Sequence, residues 1–244
     1  MSFTSNFQKV GNSLRIVLYN LIHLGMDNSY FYQNYYEELF LEHKLVSKLK
    51  NISHKKLEKN VKANDKVLEI GAGNGHHFKF VTHEFKEYHM VDPLLDLRTD
   101  ITDRRIIQHK KDFLDCTFLE SGFDRIIVTC VLHHVSNPYD FLSKVKASLK
   151  PSGLFSLYLP TDPSLITFLN RKLIIEPTAR RIGLTNYDLV NAMEHKNSVY
   201  SLNRILRYVF MDFDIKSKFF PLRFSPFIFL NGFIILNIRR RKFD

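Results

Sequence analysis

The sequence predicts an α/β protein built on a doubly wound, mostly parallel sheet of seven strands. Short apolar runs alternate with amphipathic helical segments from about residue 66 to residue 160. Strands that alternate with helices form parallel sheets with right-handed crossovers. Three closely spaced glycines follow the first apolar run directly, in "KVLEIGAGNGHH". Two further apolar runs near the C-terminus complete the seven strands.

The composition is that of an ordinary globular protein. The 244 residues are 45% hydrophobic and 25% charged, which allows a substantial buried core. Cys116 and Cys130 form neither a metal-binding pair nor a disulfide framework, and this favours a reducing, cytoplasmic location. The formal net charge is +10. We interpret the scattered lysines and arginines as solvated surface, while the run from Arg239 to Lys242 could meet phosphate or a membrane surface.

The first 60 residues are predicted to form an N-terminal helical lid, and residues 61–244 the main domain. "SLRIVLYNLIHLG" places its apolar residues on one helical stripe, and "SYFYQNYYEELFLEHKLVSKLKNI" continues as helix to about Ile52. The tail from Phe219 to Ile238 is the segment apolar enough to suggest a membrane span. An arginine and two prolines within it favour a pair of strands instead.

The elements of the main domain follow from periodicity and from breaker residues. Val67 to Ile70 is the first strand, and "GHHFKFVTHEF" is predicted to be the helix after it. "YHMVDP", "RRIIQHKKD" and "FDRIIVTCVLHH" are the next three strands, the last apolar enough to be buried on both faces. "NPYDFLSKVKASLKPSG" is a helix with Asn137 as its N-cap and Pro138 at its first position. "LFSLYLPT" is the fifth strand.

After the fifth strand the pattern changes. Residues from about 161 to 201 are predicted to form a helical insertion, longer than a simple connector. A helix near Leu202 to Phe210 follows, and the last two strands are expected near residues 213–219 and 227–238.

The glycines indicate a ligand that approaches the backbone. Ligands of open α/β sheets bind at the carboxyl ends of the strands, where Gly71, Gly73 and Gly75 lie. A dinucleotide pyrophosphate would require the spacing G-x-G-x-x-G. The third glycine comes one residue too early for that spacing, and His76 stands in its place.

The same stretch resembles the first motif of the class I S-adenosylmethionine-dependent methyltransferases, of the type 11-like kind. That motif has the form E-x-G-x-G-x-G, which Glu69 and the three glycines match throughout. The resemblance implies a Rossmann-like fold, an enzyme that transfers methyl groups and S-adenosyl-L-methionine as its cofactor. In this family the methionine part of the cofactor lies across the glycine loop, so the glycines admit the ligand to the backbone.

Four further stretches match in the expected order, between about residues 64 and 160. Asp92 in "MVDP" matches the acid that takes both ribose hydroxyls, and Asp112 in "KKDFLD" matches the acid that contacts adenine. "FDRIIVTCVLHHVSNP" and "SLKPSGLFSLYLP" resemble the family's fourth strand and its turn into the fifth, where Ser152 replaces a glycine. The cofactor-binding residues that the resemblance implies are Glu69, Gly71, Ala72, Gly73, Gly75, Asp92, Asp112, Phe113 and Val131.

Histidines are the candidate catalytic residues, because a hydroxyl acceptor needs a base and the pKa of imidazole is close to neutrality. His133 and His134 follow the fourth strand, although in this family the second histidine is often structural. "NAMEHKNSVYS" in the insertion adds His195, with Glu194 close by. The alternative interpretation of that stretch is a polar helix end. The tyrosines of "SYFYQNYYEE" form either a lid over the ligand or a packing face. No metal site is predicted.

The sequence leaves the acceptor open. The long helical N-terminus and the basic, phenylalanine-rich tail resemble methyltransferases encoded with bacterial surface-polysaccharide genes, which implies a sugar or sugar-phosphate hydroxyl as a small-molecule acceptor. The alternatives are a quinone or other lipophile methylated at carbon or oxygen, and a non-catalytic protein that binds S-adenosylmethionine. A nucleic-acid partner is disfavoured because an Asn-Pro-Pro-Tyr type motif is absent. Peripheral membrane contact through the basic C-terminus and the oligomeric state stay open.

Overall fold

The computed structural model describes residues 29–42, 44–59, 61–94, 103–117, 122–223 and 227–241. The helix predicted near residues 14–26, and Lys242 of the basic run, lie outside the described residues. The seven strands are β1 (Asn64–Ile70), β2 (Phe85–Val91), β3 (Ile106–His109), β4 (Phe123–Thr129), β5 (Leu149–Pro160), β6 (Phe213–Phe220) and β7 (Phe233–Arg240).

These strands form one sheet in the order β3-β2-β1-β4-β5-β7-β6. Strands β1 to β5 pair in parallel, and β7 runs antiparallel to both of its neighbours. The sheet order reverses next to β1, between β1 and β4. The predicted seven-stranded, mostly parallel, doubly wound sheet is therefore confirmed, and the carboxyl ends of β1 and β4 lie side by side at the point where ligands bind in such sheets.

Helices cover both faces of the sheet. They are α1 (Ser29–Asn34), α2 (Lys44–Leu57), α3 (Pro138–Ser148), α4 (Leu165–Asn170), α5 (Glu176–Arg181), α6 (Tyr187–Glu194) and α7 (Val199–Val209). A π-helical turn, Glu38–Glu42, precedes α2, and a second one, Arg171–Ile175, joins α4 to α5. Within the described residues no helix is both long and apolar enough to span a membrane.

The core is divided by the sheet into two layers, as the alternation of side chains along β4 shows. Ile126 and Val128 pack in the cluster that contains α3 and α7, whereas Ile127 packs in the cluster with Leu57 of α2. Helix α3 begins as predicted, since Asn137 accepts a hydrogen bond from the backbone N–H of Asp140 and a proline fills its first turn.

The segment after the glycines differs from the sequence prediction. Instead of a helix over "GHHFKFVTHEF", the chain forms one 3₁₀ turn, His77–Phe80, and enters β2 at Phe85. The side chains of this turn contact different neighbours: His77 is hydrogen-bonded to Glu58, Phe78 packs on Tyr88, and Phe80 stacks on His54. These contacts with α2 and β2 replace the single apolar stripe that a helix would require.

A buried ion pair attaches α2 to the sheet. Arg125 of β4 is fully buried, and its two terminal nitrogens lie 2.8 Å from the two carboxylate oxygens of Glu58. The Nε2 of His77 lies 3.0 Å from the same carboxylate. Burial alone would raise the pKa of Glu58, but the hydrogen bonds from His77 and Arg125 outweigh it and lower the pKa to about 2.

The N-terminal helices also pack against the insertion. Phe31 of α1 and Val46 of α2 are buried in one cluster with Ile175, Ala179 and Tyr187 of the insertion. Two separate parts of the chain thus meet above the carboxyl edge of the sheet and form the walls of a cavity.

Candidate active site

A large cavity lies at the carboxyl edge of the sheet. Its volume is about 1400 Å³, and it extends from the glycine loop after β1 to the helices of the insertion. Sites for one small molecule usually measure about 300–1,000 Å³. The cavity is therefore large enough for two small molecules side by side.

The glycine loop forms the floor of one half of the cavity. Gly71, Gly73 and Gly75 all have positive φ angles, of 77°, 51° and 71°. A side chain at position 71 would collide with the core, because a Cβ there would lie 1.9 Å from Cγ2 of Val131. A Cβ at Gly73 would meet nothing within 4 Å. Gly71 therefore permits close packing, whereas Gly73 keeps space open on the cavity side.

Two aspartates hold the loops around this half. Asp92 accepts hydrogen bonds from the backbone N–H groups of Gly73, at 3.0 Å, and Leu94, at 2.7 Å. Burial raises its pKa, against the effect of these two bonds. Asp112 caps the 3₁₀ turn Phe113–Asp115 by accepting from the N–H of Leu114 at 2.8 Å. Both carboxylates line the cavity, so each can contact a ligand with its remaining lone pairs.

Glu69 supplies a buried acceptor at the centre of the floor. Its Oε2 accepts a hydrogen bond from the hydroxyl of Tyr88 at 2.7 Å, while its buried Oε1 has no hydrogen-bond partner among the described residues. Burial raises the pKa of this carboxyl group. An unpaired buried oxygen costs about 1–3 kcal/mol, so a ligand that donates a hydrogen bond here would relieve an existing cost.

Ala72, Phe113 and Val131 complete the cofactor-binding residues that the sequence implied. All three line the cavity. Phe113 also packs in the core, with its ring centroid 5.2 Å from that of Phe141. Between Thr129 of β4 and Val131, Cys130 adopts a positive φ of 56°, and burial raises the pKa of its thiol to about 11. The thiol is therefore protonated at neutral pH.

Three histidines meet in the other half of the cavity. His133 and His134 follow β4, and His195 follows α6, yet their ring centroids lie only 3.9 to 5.2 Å apart. Burial lowers the pKa of His133 well below its usual value and lowers that of His134 to about 4, with a further contribution from the neighbouring imidazoles. These two rings are uncharged at neutral pH, and the structure brings together all three predicted catalytic histidines.

Asp162 orients His195. The Nδ1 of His195 donates to Oδ2 of Asp162 at 3.0 Å, and Arg171 and Thr167 both bond the other carboxylate oxygen. The hydrogen bond from His195 is the main cause of the lowered pKa of Asp162. The sequence analysis missed Asp162, although its place directly after β5, at the carboxyl edge of the sheet, could have revealed it.

Glu194 connects the histidines to the N-terminal helices. Its carboxylate accepts a hydrogen bond from the hydroxyl of Tyr32 at 3.0 Å, and its backbone carbonyl accepts from Nδ1 of His134 at 2.9 Å. Tyr36 lines the same wall of the cavity. Tyr32 and Tyr36 thus pack against the insertion and also face the cavity. The sequence analysis had treated these two arrangements as alternatives.

The other polar residues of "NAMEHKNSVYS" have different positions. Asn197 donates to the backbone carbonyl of Val135 at 2.7 Å and so fixes the insertion to the loop after β4. Tyr200 lies on the surface, 46% exposed. In the basic C-terminal run, Arg240 and Arg241 pair with Asp212 and Asp214 at 3.8 and 3.3 Å.

Comparison with known proteins agrees with this geometry. The family model described as a methyltransferase domain matches residues 36–208, whereas no curated protein sequence gives a significant match. The plantazolicin methyltransferase BpumL, solved with a monoazolic desmethylPZN analogue and S-adenosylhomocysteine, aligns over 96% of this chain and 99% of its own, with 14% identity and a TM-score of 0.59.

Two further solved structures are similar. A possible histamine N-methyltransferase from Thermotoga maritima covers 84% of this chain and 98% of its own length, with 14% identity and a TM-score of 0.54. A putative S-adenosylmethionine-dependent methyltransferase from Listeria monocytogenes covers 78% and 100%, with 14% identity and a TM-score of 0.53. Together with the family match over most of the chain, the fold and the site show that this protein belongs to the class I S-adenosylmethionine-dependent methyltransferases.

Proposed function

We propose that this enzyme transfers the methyl group of S-adenosylmethionine to a hydroxyl of a small polar acceptor, which binds beside His133, His134 and His195. One observation carries the proposal: the glycine loop and the three histidines line the same cavity. A cofactor on the glycine loop and an acceptor beside the histidines would therefore be neighbours, as direct transfer requires.

The residues around the glycine loop fit the cofactor. The open space at Gly73, the unpaired Oε1 of Glu69 and the cavity-lining carboxylates of Asp92 and Asp112 offer room and hydrogen-bond acceptors. The resemblance assigns Asp92 to the ribose hydroxyls and Asp112 to the adenine, and the free oxygen of Glu69 suits a further hydrogen-bond donor of the cofactor. When bound, S-adenosylmethionine supplies a methyl group that is already activated by its sulfonium. The protein then has to orient the acceptor and exclude water.

The walls of the second half support a hydroxylated acceptor such as a sugar or sugar phosphate. Polar side chains of Asp162, Asn191 and Glu194 converge there, and Tyr32 and Tyr36 offer aromatic faces on which a sugar ring can stack. Lys50, Arg171 and Lys196 line the same cavity and can meet a phosphate. A role in surface-polysaccharide synthesis is the finer form of this proposal. The N-terminal helical segment would then serve as a lid over the acceptor.

The histidines would promote loss of the hydroxyl proton. Two of the imidazoles are uncharged at neutral pH, and the hydrogen bond from Nδ1 of His195 to Asp162 leaves Nε2 as the nitrogen for a ligand. The convergent polar groups disfavour a quinone or other lipophile, for which an apolar wall would be expected. Tight cofactor binding without any turnover would instead support a non-catalytic role.

The test combines cofactor binding with turnover. We expect S-adenosylmethionine, but not NAD, to bind the purified protein in calorimetry, and S-adenosylhomocysteine to accumulate with members of a panel of nucleotide sugars and sugar phosphates. His195→Ala should retain cofactor affinity and lose turnover at least tenfold. His109→Ala is the matched histidine control and should retain both, because its ring stacks on His89 of β2 and is not among the residues that line the cavity. Full activity of His195→Ala would move the acceptor site elsewhere.

A further inference from the structure

The three histidines of the acceptor half have the arrangement of a metal site as well as that of a proton acceptor. One ligand nitrogen from each of His133, His134 and His195 can be chosen such that all three lie within 4.8 Å of one another. In a tetrahedral zinc site, nitrogens at ~2.0–2.1 Å from the ion lie roughly 3.4 Å apart. The rings would therefore have to approach one another slightly, through side-chain rotation, when an ion binds.

Hydrogen bonds already fix which nitrogen two of these rings present. Nδ1 of His195 donates to the carboxylate of Asp162, and Nδ1 of His134 donates to the backbone carbonyl of Glu194. In both rings Nε2 is consequently the nitrogen left for a ligand. Metal-binding histidines typically donate their other N–H group to a carboxylate or a carbonyl in this way, which sets the tautomer and the direction of the ring.

The third histidine has an unsatisfied polar atom. His133 is buried, and its Nδ1 has no hydrogen-bond partner among the described residues. Leaving a buried polar nitrogen unpaired is unfavourable, and a cation would supply the missing partner. Asp162, and the Glu194 carboxylate 3.6 Å from Nδ1 of His134, would partly balance the positive charge.

We propose that His133, His134 and His195 bind a divalent transition-metal ion of the zinc type, with one coordination position open to the cavity. Three imidazole ligands favour zinc, nickel or copper over magnesium or calcium, which prefer oxygen ligands. Three protein ligands with an open fourth position are typical of catalytic rather than structural zinc. This inference rests on the proposed function, because the open position would take the acceptor's hydroxyl oxygen and favour loss of its proton to water.

Direct metal binding tests the proposal. The full-length protein, freed of metal by a chelator, is titrated calorimetrically with Zn²⁺, and with Co²⁺ while the visible absorption of the ion is recorded. We expect one ion per chain and a tetrahedral Co²⁺ spectrum. His195→Asn should lose both, and Asp162→Asn should bind Zn²⁺ about 10–100-fold more weakly, since it removes only the orienting carboxylate.

A matched control separates this site from another close histidine pair. His89 and His109 are stacked on β2 and β3, with a nitrogen of each 3.0 Å apart. His109→Asn should bind Zn²⁺ like the parent protein. Folding of each variant is checked by circular dichroism. No Zn²⁺ or Co²⁺ binding by the folded parent, or binding that survives His195→Asn, would overturn the metal site.

Cofactor binding keeps the two proposals distinguishable. S-adenosylmethionine is titrated into the same chelator-treated samples. Cofactor binding and turnover without any metal binding would refute the metal site alone. Metal binding without cofactor binding would refute the proposed function but leave the three-histidine site in place.

Discussion

The glycine loop allows a test in which two neighbouring substitutions have opposite consequences. Gly71 and Gly73 both have positive φ angles, yet their surroundings differ. A Cβ at position 71 would lie 1.9 Å from Val131, whereas one at position 73 would enter open space beside the cavity. We expect Gly71→Ala to damage the fold and Gly73→Ala to damage cofactor binding.

The magnitudes follow from these two environments. An alanine at positive φ costs about 1–2 kcal/mol at either position. Gly71→Ala adds an overpacking cost of about 1–3 kcal/mol, because Val131 is β-branched and cannot rotate away freely. The free energy of unfolding should therefore fall by about 2–5 kcal/mol for Gly71→Ala and by about 1–2 kcal/mol for Gly73→Ala.

Urea unfolding followed by circular dichroism measures the first effect, since the chain contains no tryptophan for fluorescence. Calorimetry with S-adenosylhomocysteine measures the second, and Gly73→Ala should weaken binding at least tenfold, about 1.4 kcal/mol. In a Val131→Ala background, Gly71→Ala should cost no more stability than Gly73→Ala does. Equal destabilisation by the two single substitutions would refute the close approach of Gly71 to Val131.

Three further predictions concern the carboxylates and one buried histidine. Asp92→Ala should weaken cofactor binding in calorimetry by about 1–3 kcal/mol through lost hydrogen bonds, and unchanged affinity would remove Asp92 from the site. Glu58→Gln should lower the free energy of unfolding, measured in urea, by about 3–5 kcal/mol, because Arg125 stays buried without its charge partner. The double variant with Arg125→Met should lose less stability than Glu58→Gln alone, and an equal or larger loss would contradict the ion-pair explanation. Burial lowers the pKa of His54 from 6.5 to about 2. As the pH falls below 6.5, the unfolded chain therefore binds a proton at this histidine that the folded chain does not bind. The free energy of unfolding should consequently fall by about 2 kcal/mol between pH 7 and pH 5 because of this group. The difference between the parent and His54→Gln isolates that contribution, and identical pH dependence would rule it out.

The residues around the glycine loop could be placed from the sequence because they are close in sequence to the strands that position them. Glu69 and the glycines end β1, Asp92 ends β2, and the alternation of apolar and helical runs determines the sheet that aligns these ends. The acceptor half could not be assembled in the same way. Asp162, Glu194 and Tyr32 are hydrogen-bond partners of residues up to 162 positions away, and no local pattern predicts such pairs.

The same difference between local patterns and long-range contacts explains two features that the sequence did not predict, the 3₁₀ turn after the glycines and the buried Arg125. The sequence predicts a helix after the glycines. The side chains of this segment instead contact α2 and β2, and this tertiary packing overrides the weak local preference for a helix. Arg125 lies in a strand that the sequence marks as buried on both faces. The carboxylate of Glu58, 67 residues earlier, is the charge partner that stabilises a fully buried arginine there.

The sequence by itself determined the sheet, its mostly parallel order, the methyltransferase family and the position of the glycine loop, because these depend on short-range periodicity and on the backbone freedom of a few glycines. The tertiary structure determined which groups surround the histidines. It brought His195 to His133 and His134, gave two of the rings fixed hydrogen-bond acceptors and left the third with an unpaired nitrogen. The histidines converge because the insertion packs against the N-terminal helices and the sheet. Local sequence patterns do not predict contacts between segments that are so far apart in the chain.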